Sequence, residues 1–544
     1  MPDIDSIIRD DAETGGDGVL LTRLARRLQE RIPTLCVLKT FYDGRENVPT
    51  MHVPSGMNTT GSSVYRRFVE ICPMNLASTI ANAVITNQQP TGFRLVKDQT
   101  MRSTAADDMW ANCRMYLKSR QMFYDAGVYG AAYAFVTGAE YPSWIKILSP
   151  WDTMVSDDED SAVVYTYDPD EGVERLTLFR MVRNEDGSPH NVYSRSAARK
   201  ADARTIPGET DDEAVYNAAN SPDDTTFSFA NDFEWEGSAD SDYSYAVSCG
   251  CLPVVRMSTP TGKGQFEASI PTLKSIDQQR FQRFCIQEMQ AFRQRAVSGD
   301  LPEYYEEGDP AVVNGTAKAG DKIDYNDMFD MGPAALWMLP DNAKMWESAI
   351  TDVTPLVTAA SSDIKQLAGA TGTPLSVLSP DVAGSAEGAR LTTRTLALKV
   401  QDLNMRANDA FVRILRMALV ASGQSSAADE RFETTWQPVN LPTDLEQAQA
   451  ASFVKNILPV KTIMRRFLHM TESDIAEAMQ DLQDESFITA LAAENRMLES
   501  STESQYSSGL SDPLAESGML TGETSSVEEL DSDGSMSVED DGIG

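Results

Sequence analysis

Residues 386–420 read AEGARLTTRTLALKVQDLNMRANDAFVRILRMALV. Leu396, Val400, Leu403, Ala407, Phe411, Ile414 and Ala418 recur there at spacings of three and four, the apolar stripe of one α-helix. Asp402 lies four residues before Arg406, and Asp409 four before Arg413, the order that favours ion pairs along a helix. At ~1.5 Å per residue this helix is about 52 Å long, far beyond the common length. Such a helix needs neighbours to cover its second face.

Upstream lies GTPLSVLSPDVAG, residues 372–384, which is too rich in Pro and Gly to read as helix. A helix is expected before it, from Thr354 to Ala370, and a longer one from Ser269 to Val297. In the longer one, Leu273, Ile276, Phe281, Phe284, Cys285, Met289, Phe292 and Ala296 form the apolar side, and Gln279, Arg283, Gln287, Gln290 and Gln294 the polar side. Ser269 reads as its N-cap, Pro271 lies in its first turn, and Gly299 is its stop. Asp300 to Ser348 has a different texture, with Gly and Pro turns and brief aromatic runs. Two long helices therefore bracket a small inserted module.

The first 264 residues read as an α+β region. A short amphipathic helix, Val19 to Arg31, leads to the turn signal Phe41-Tyr42-Asp43-Gly44. Helices follow at Asn75 to Val84 and Ala105 to Ala126, the latter carrying Trp110, Leu117 and Met122. Short β-prone runs come next: Ala134–Val136, Trp144–Leu148, Val163–Tyr165 and Leu176–Phe179. Ser196 to Ser244, rich in Ser and Asp, reads as a long irregular excursion, and Leu252 to Met257 as a return strand. Beyond the long helix, Leu445–Leu458, Lys461–His469 and Glu472–Glu499 read as helices. No internal repeat is visible.

Charge narrows the function. The chain of 544 residues has 46 Lys and Arg against 82 Asp and Glu, a formal net charge of −36. Such a balance excludes a protein that grips nucleic acid through a basic face, or one held on anionic membrane by basic patches. The acidity is local. The block from Asp152 to Asp242 has 23 acids against seven basic residues, and 12 acids follow Arg496 with no basic residue. That Ser-, Gly- and acid-rich tail reads as disordered, because it has too little apolar surface to offset its ordering entropy. The six cysteines are scattered, as expected of a reducing compartment. The acidic start lacks the order of a signal peptide, and the most apolar stretch, Ala126 to Ala139, is too short to span a bilayer.

Chemistry finds little to work with. His52, His190 and His469 are far apart, without zinc-ligand spacing. Gly262-Lys263-Gly264 is the nearest approach to a phosphate-binding loop, but Met257 stands where the first Gly is needed. Gly384-Ser385-Ala386-Glu387-Gly388 has the wrong spacing for a nucleophile elbow and reads as a helix start. Asp157-Asp158-Glu159-Asp160 is the one cluster that could bind Mg²⁺ for a nuclease. Four consecutive acids point to different sides, however, so a solvated loop is the expected reading. Cys249 and Cys251 lack further metal ligands and read as a buried strand end. The expectation is a non-enzymatic protein without metal or cofactor, the alternatives being a metal-dependent nuclease or another virion or scaffold protein.

The chain resembles the portal proteins of tailed bacteriophages, of the siphophage type common among actinobacteriophages. The resemblance rests on the order of FYDG (41–44), VYGAAYAFV (128–136), MQAFRQR (289–295), GPAALW (332–337), GTPLSVLS (372–379) and SAEG (385–388). It implies an α+β, mainly helical protomer: wing 1–264, stem helix 265–299, small α/β clip 300–350, second stem helix 351–371, tunnel loop 372–385, long helix 386–422, helical crown 423–498 and acidic tail 499–544. It further implies Thr373, Ser376, Ser379, Asp381, Ser385, Glu387 and Arg390 along a DNA channel. Glu303, Tyr304, Tyr305, Asp324 and Tyr325 would form a docking surface on the clip. A homo-oligomeric ring, usually of twelve, would stand at one capsid vertex of the virion after assembly in the host cytoplasm. Double-stranded DNA would pass through it non-specifically, driven by a separate large terminase. Capsid and scaffold proteins and a head–tail adaptor would be its other partners, with no membrane involved.

Overall fold

In the computed structural model, the described residues are 6–8, 16–46, 59–96, 103–138, 144–221, 225–240, 242–291, 295–299, 302–324, 344–347, 349–379, 386–439, 444–468, 470 and 474–487. Helix α1 runs from Asp17 to Asp43, well past the Arg31 end expected from the sequence. Its buried stripe of Leu21, Leu24, Leu28, Ile32, Leu35 and Leu38 continues through Pro33. Packing on that stripe outweighs the one backbone hydrogen bond that proline removes. The helix stops at left-handed Gly44, where the Arg45 N–H donates to the Thr40 carbonyl (3.0 Å).

Next come α2 (Thr59–Ile71), α3 (Leu76–Ile85), β1 (Pro90–Leu95), α4 (Thr104–Asn112) and α5 (Met115–Tyr129). Tyr65–Ile85 has the length and composition of a membrane-crossing stretch, but the chain leaves the helix between α2 and α3, with Asn75 left-handed. The single helix expected over 105–126 is in fact two. The chain breaks at Arg114 (φ 54°), which lets Met109, Cys113 and Met115 all face the interior. Leu117, expected on the apolar side, is exposed in consequence.

Seven strands and two helices follow: β2 (Ala131–Val136), β3 (Ile145–Leu148), β4 (Thr153–Val155), β5 (Ser161–Asp168), β6 (Val173–Arg183), β7 (Pro189–Lys200), α6 (Asp212–Asn220), β8 (Glu234–Asp240) and α7 (Ser244–Cys249). With β9 (Val254–Ser258) they make two antiparallel sheets, β3-β2-β9 and the meander β4-β5-β6-β7-β8. The expected irregular excursion over 196–244 is therefore corrected. Much of it is the end of β7, α6 and β8, and Ile206, Val215, Ala218, Phe229 and Phe233 bury its few apolar side chains. Outer strand β8 is acidic and mostly exposed, which guards the sheet edge against further pairing.

Helix α8 (Ile270–Ala291) ends earlier than the expected Val297, because Arg295–Ser298 is strand β10. The short helix α9 (Pro310–Val313) and strand β11 (Lys344–Glu347) follow. Strand β10 pairs antiparallel with β11, Ser298 opposite Lys344, and this ribbon closes the base of the insert. Next are α10 (Thr354–Thr371), the single turn α11 (Leu375–Leu378) and α12 (Ala386–Ala421). The α11 turn corrects the expectation of no helix in 372–384: Pro374 precedes it, where a fixed φ is compatible with a helix start. Strand β12 (Phe432–Trp436), which the sequence pattern did not reveal, pairs antiparallel with β1.

All seven predicted stripe residues of the 36-residue α12 are buried. Phe411 lies 4.9 Å from Trp110, 5.8 Å from Phe123 and 6.2 Å from Trp436, centroid to centroid. These aromatics form the centre of the main core. Residues 441–544 form a second unit, and the helices among its described residues are α13 (Asp444–Val454), α14 (Val460–Arg466) and α15 (474–487). The acidic tail lies outside the described residues. The architecture is α+β and mainly helical, as the sequence predicts.

Candidate functional site

Helices α8 and α10 lie side by side and antiparallel. Gln279 Nε2 donates to Asp363 Oδ2 (2.7 Å) at one end and Gln290 Nε2 to the Thr351 carbonyl (2.5 Å) at the other. Just ahead of α10, Asp352 accepts from the Thr354 N–H (2.9 Å), and the Thr354 hydroxyl together with that N–H holds the Asp352 carboxyl below its ordinary range. Between the two helices, the ribbon β10–β11 carries the insert outward. Within the insert, Glu303, Tyr304 and Tyr305 run beside Asp321–Asp324. Ile323 N–H donates to the Glu303 carbonyl (3.0 Å) and Tyr305 N–H to the Asp321 carbonyl (3.0 Å). Four of the five predicted docking residues are thus brought together, with Glu303, Tyr304 and Asp324 exposed and Tyr305 half-buried. Tyr325 lies outside the described residues. Met345 and Trp346 on β11 are also exposed, large side chains that only their place on a two-stranded ribbon singles out.

The end of α10 is tightly fastened. Gly372 is left-handed (φ 65°), and the Thr373 N–H donates to the Ala368 carbonyl (3.1 Å). Lys399, reaching from α12, donates to the Thr371 carbonyl (2.7 Å), and burial lowers its ammonium to about 8. Thr373, predicted to line a channel, is buried instead, its hydroxyl 3.1 Å from that of Thr371. Ser376 is exposed beside Val377, and Ser379 is half-buried. Asp381 and Ser385 lie outside the described residues. Glu387 and Arg390 belong to the first turns of α12, and their side chains are likewise outside the description.

The acidic run Asp157–Asp160 is a turn between β4 and β5 with Asp157 and Asp158 exposed, as expected, but each of its carboxylates has a partner. Asp157 accepts from Arg27 of α1 (3.0 Å), Glu159 from Arg256 of β9 (3.1 Å) and from Arg413 of α12, and Asp160 from Arg183 of β6 (2.6 Å). Asp158 accepts from the Ser156 hydroxyl. Hydrogen bonds from Arg27 and Ser156 hold Asp157 and Asp158 below the usual carboxylate range. With Glu159 left-handed, the four carboxylates diverge to different elements, as their adjacency predicts, and do not converge on one point. Among the described residues, no group of three or more His, Cys, Asp or Glu is placed to hold a metal. Burial pushes the Cys249 thiol up to about 12, and His190 is exposed on β7. His52 and His469 lie outside the described residues.

Gly262–Gly264, weighed above as a phosphate loop, is a docking turn. A Cβ on Gly264 would lie 2.0 Å from the Val128 carbonyl oxygen, and the Gln265 N–H donates to the Gly127 carbonyl (2.8 Å). Arg31 bridges Tyr129 (2.9 Å), Gly262 (3.3 Å) and Glu267 (3.2 Å) across it. Close packing against the end of α5 explains the glycine.

No protein-family model matches the chain, and no curated protein matches it either. Among solved structures, it is similar to the neck of an empty GTA particle computed with C6 symmetry, with 12% identity and a TM-score of 0.38 over 80% of this chain and 94% of that one. That likeness is too loose to carry an argument.

Proposed function

We propose that this chain is a portal protein: a homo-oligomeric ring at one capsid vertex of a virion, through which double-stranded DNA passes during packaging and ejection. The observation that supports this reading is the order α8, ribbon-closed insert, α10, loop, α12. The antiparallel α8–α10 pair is a rigid post. It carries the insert at one end, as a docking platform for a terminase and a head–tail adaptor, and the 372–385 loop at the other, facing the channel. Glu303, Tyr304, Tyr305, Asp324 and Tyr325 serve the docking face. Ser376, Ser379, Asp381, Ser385, Glu387 and Arg390 serve the channel, while Thr373 fastens the loop root.

The electrostatics agree with a passive conduit. A basic lining would neutralise phosphates and hold the duplex in a salt-dependent trap. This chain's excess is acidic, and a separate ATPase supplies the motion. Deleting Leu375 to Ala383 tests the reading. Rings are expected to form while packaged DNA falls at least tenfold in a reconstituted packaging assay. Wild-type packaging by the deletion variant would remove the loop from the mechanism.

A further inference from the structure

The segment after α1 and the first half of α8 bring two acids together in the interior. Glu46 is 7% exposed and Asp277 4%, and their side chains lie close enough to act on each other. Asp277 Oδ1 also accepts from the Met74 N–H (3.1 Å) in the turn between α2 and α3. Glu46 Oε2 is buried with no hydrogen-bond partner. Three segments therefore meet at the root of α8 through two carboxyl groups. Two ionised carboxylates cannot share such a contact, so one proton must lie between them.

Among the described residues, the pair is only partly compensated. Arg280, one turn along α8, is the one cation with a lowering effect on Asp277, and its Nη1 is engaged with the Pro73 carbonyl (3.1 Å). Lys274, also on α8, sits over the Phe41 ring (6.0 Å). Arg45, next to Glu46, pairs with Asp212 of α6 (3.0 Å), and Asp43 with Lys39 inside α1 (2.6 Å). Facing the pair from the α2–α3 turn is Cys72, whose thiol burial pushes up to about 12, so it is neutral. Burial raises both carboxyls above their ordinary range; Asp277 adds to the rise at Glu46, whereas the Met74 N–H, Glu46 and Arg280 temper it at Asp277, so Glu46 is raised the further.

We propose that Glu46 and Asp277 form a proton-held joint that fastens the root of α8 to the end of α1 and the α2–α3 turn. When the shared proton leaves to solvent, two carboxylates face each other, and their repulsion loosens α8 from that turn. The folded state binds a proton that the unfolded chain has lost above the ordinary carboxylate range, so stability falls as pH rises.

Hydrogen exchange of the full-length protein tests this, read at residues 72–77 and 273–280 at pH 6 and pH 9 and corrected for the intrinsic rate. Protection in the parent is expected to fall at least tenfold between the two. Glu46→Gln keeps a donor to Asp277 but does not titrate, and is expected to show no such fall. Equal pH dependence in parent and variant would overturn the joint, as would unchanged protection in the parent. If the variant fails to fold, infrared spectroscopy of the parent decides. A buried protonated carboxyl band present at pH 7 and lost at pH 9 supports the joint, and its absence at pH 7 overturns it.

Discussion

Glu174 has no exposed surface, yet it is anchored from four sides: by Tyr165 Oη (2.7 Å), Arg199 Nε (2.7 Å) and the backbone N–H (2.6 Å) and hydroxyl (3.0 Å) of Thr205. Burial alone would raise its carboxyl, but these donors outweigh it and hold Glu174 below the usual range. Its contribution to stability is therefore complete above the unfolded value near ~4.3 and is lost as pH falls through the folded one. Glu174→Gln is expected to cost about 3 kcal/mol at pH 7, because Arg199 loses its buried counter-charge. Thermal melts should also show less acid-induced loss of stability than in the parent, and an unchanged acid limb would contradict this assignment. Gly264→Ala is expected to unfold the protein or lower its melting temperature by more than about 5 °C, since a Cβ at 2.0 Å from backbone forces the α5 end and the docking turn apart. A melt matching the parent would show that the turn yields. Neither site was legible in the sequence. The partners of Glu174 lie on separate strands and a loop, and a glycine needed for close approach looks the same as one in a phosphate loop.

The α12 helix shows what periodicity does reveal. Its seven stripe positions and both of its i, i+4 ion pairs are present as predicted, because a long stripe leaves one phase for the helix. Phe411→Ala, at the centre of the aromatic cluster, is expected to lose about 3–5 kcal/mol in urea unfolding. Leu398→Ala on the exposed face should stay within about 0.5 kcal/mol. Equal losses at the two sites would mean the stripe has been read in the wrong phase. Strand β10 is where periodicity misled. Ala296 continues the α8 spacing, but pairing with Lys344–Glu347, some fifty residues downstream, overrides it, and local pattern holds no information about that partner. Strands β7 and β8 were hidden for the same reason: the small and basic residues of β7 are set in place by β6, and the acidic and small residues of β8 by β7. The ribbon makes the insert separable. Replacing residues 299–343 with an Asn-Gly turn is expected to leave the helical circular dichroism of the remaining chain intact, with a melting temperature within a few degrees of the parent. Collapse of the α8–α10 pair would show that the insert is needed to hold it.

At the scale of the whole molecule, the net charge of −36 is reconciled with a stable body by local pairing. In the acidic block, Arg175, Arg180, Arg183, Arg199 and Arg204 each neutralise carboxylates, and Arg27, Arg256 and Arg413 reach in from other elements. The acids of β8 lie on exposed surface, where salt screens them within ~8 Å. Such pairing would soften repulsion between copies in the proposed ring. The order α8, insert, α10, loop and α12 was legible from composition and turn signals, whereas the proposed ring would depend on surfaces that meet only between chains. Electron microscopy of the purified full-length protein, with analytical ultracentrifugation on the same sample, tests the central claim most directly. A closed ring of about twelve copies with an open axial channel is the expected result. A monodisperse monomer at every salt concentration and protein concentration would contradict it.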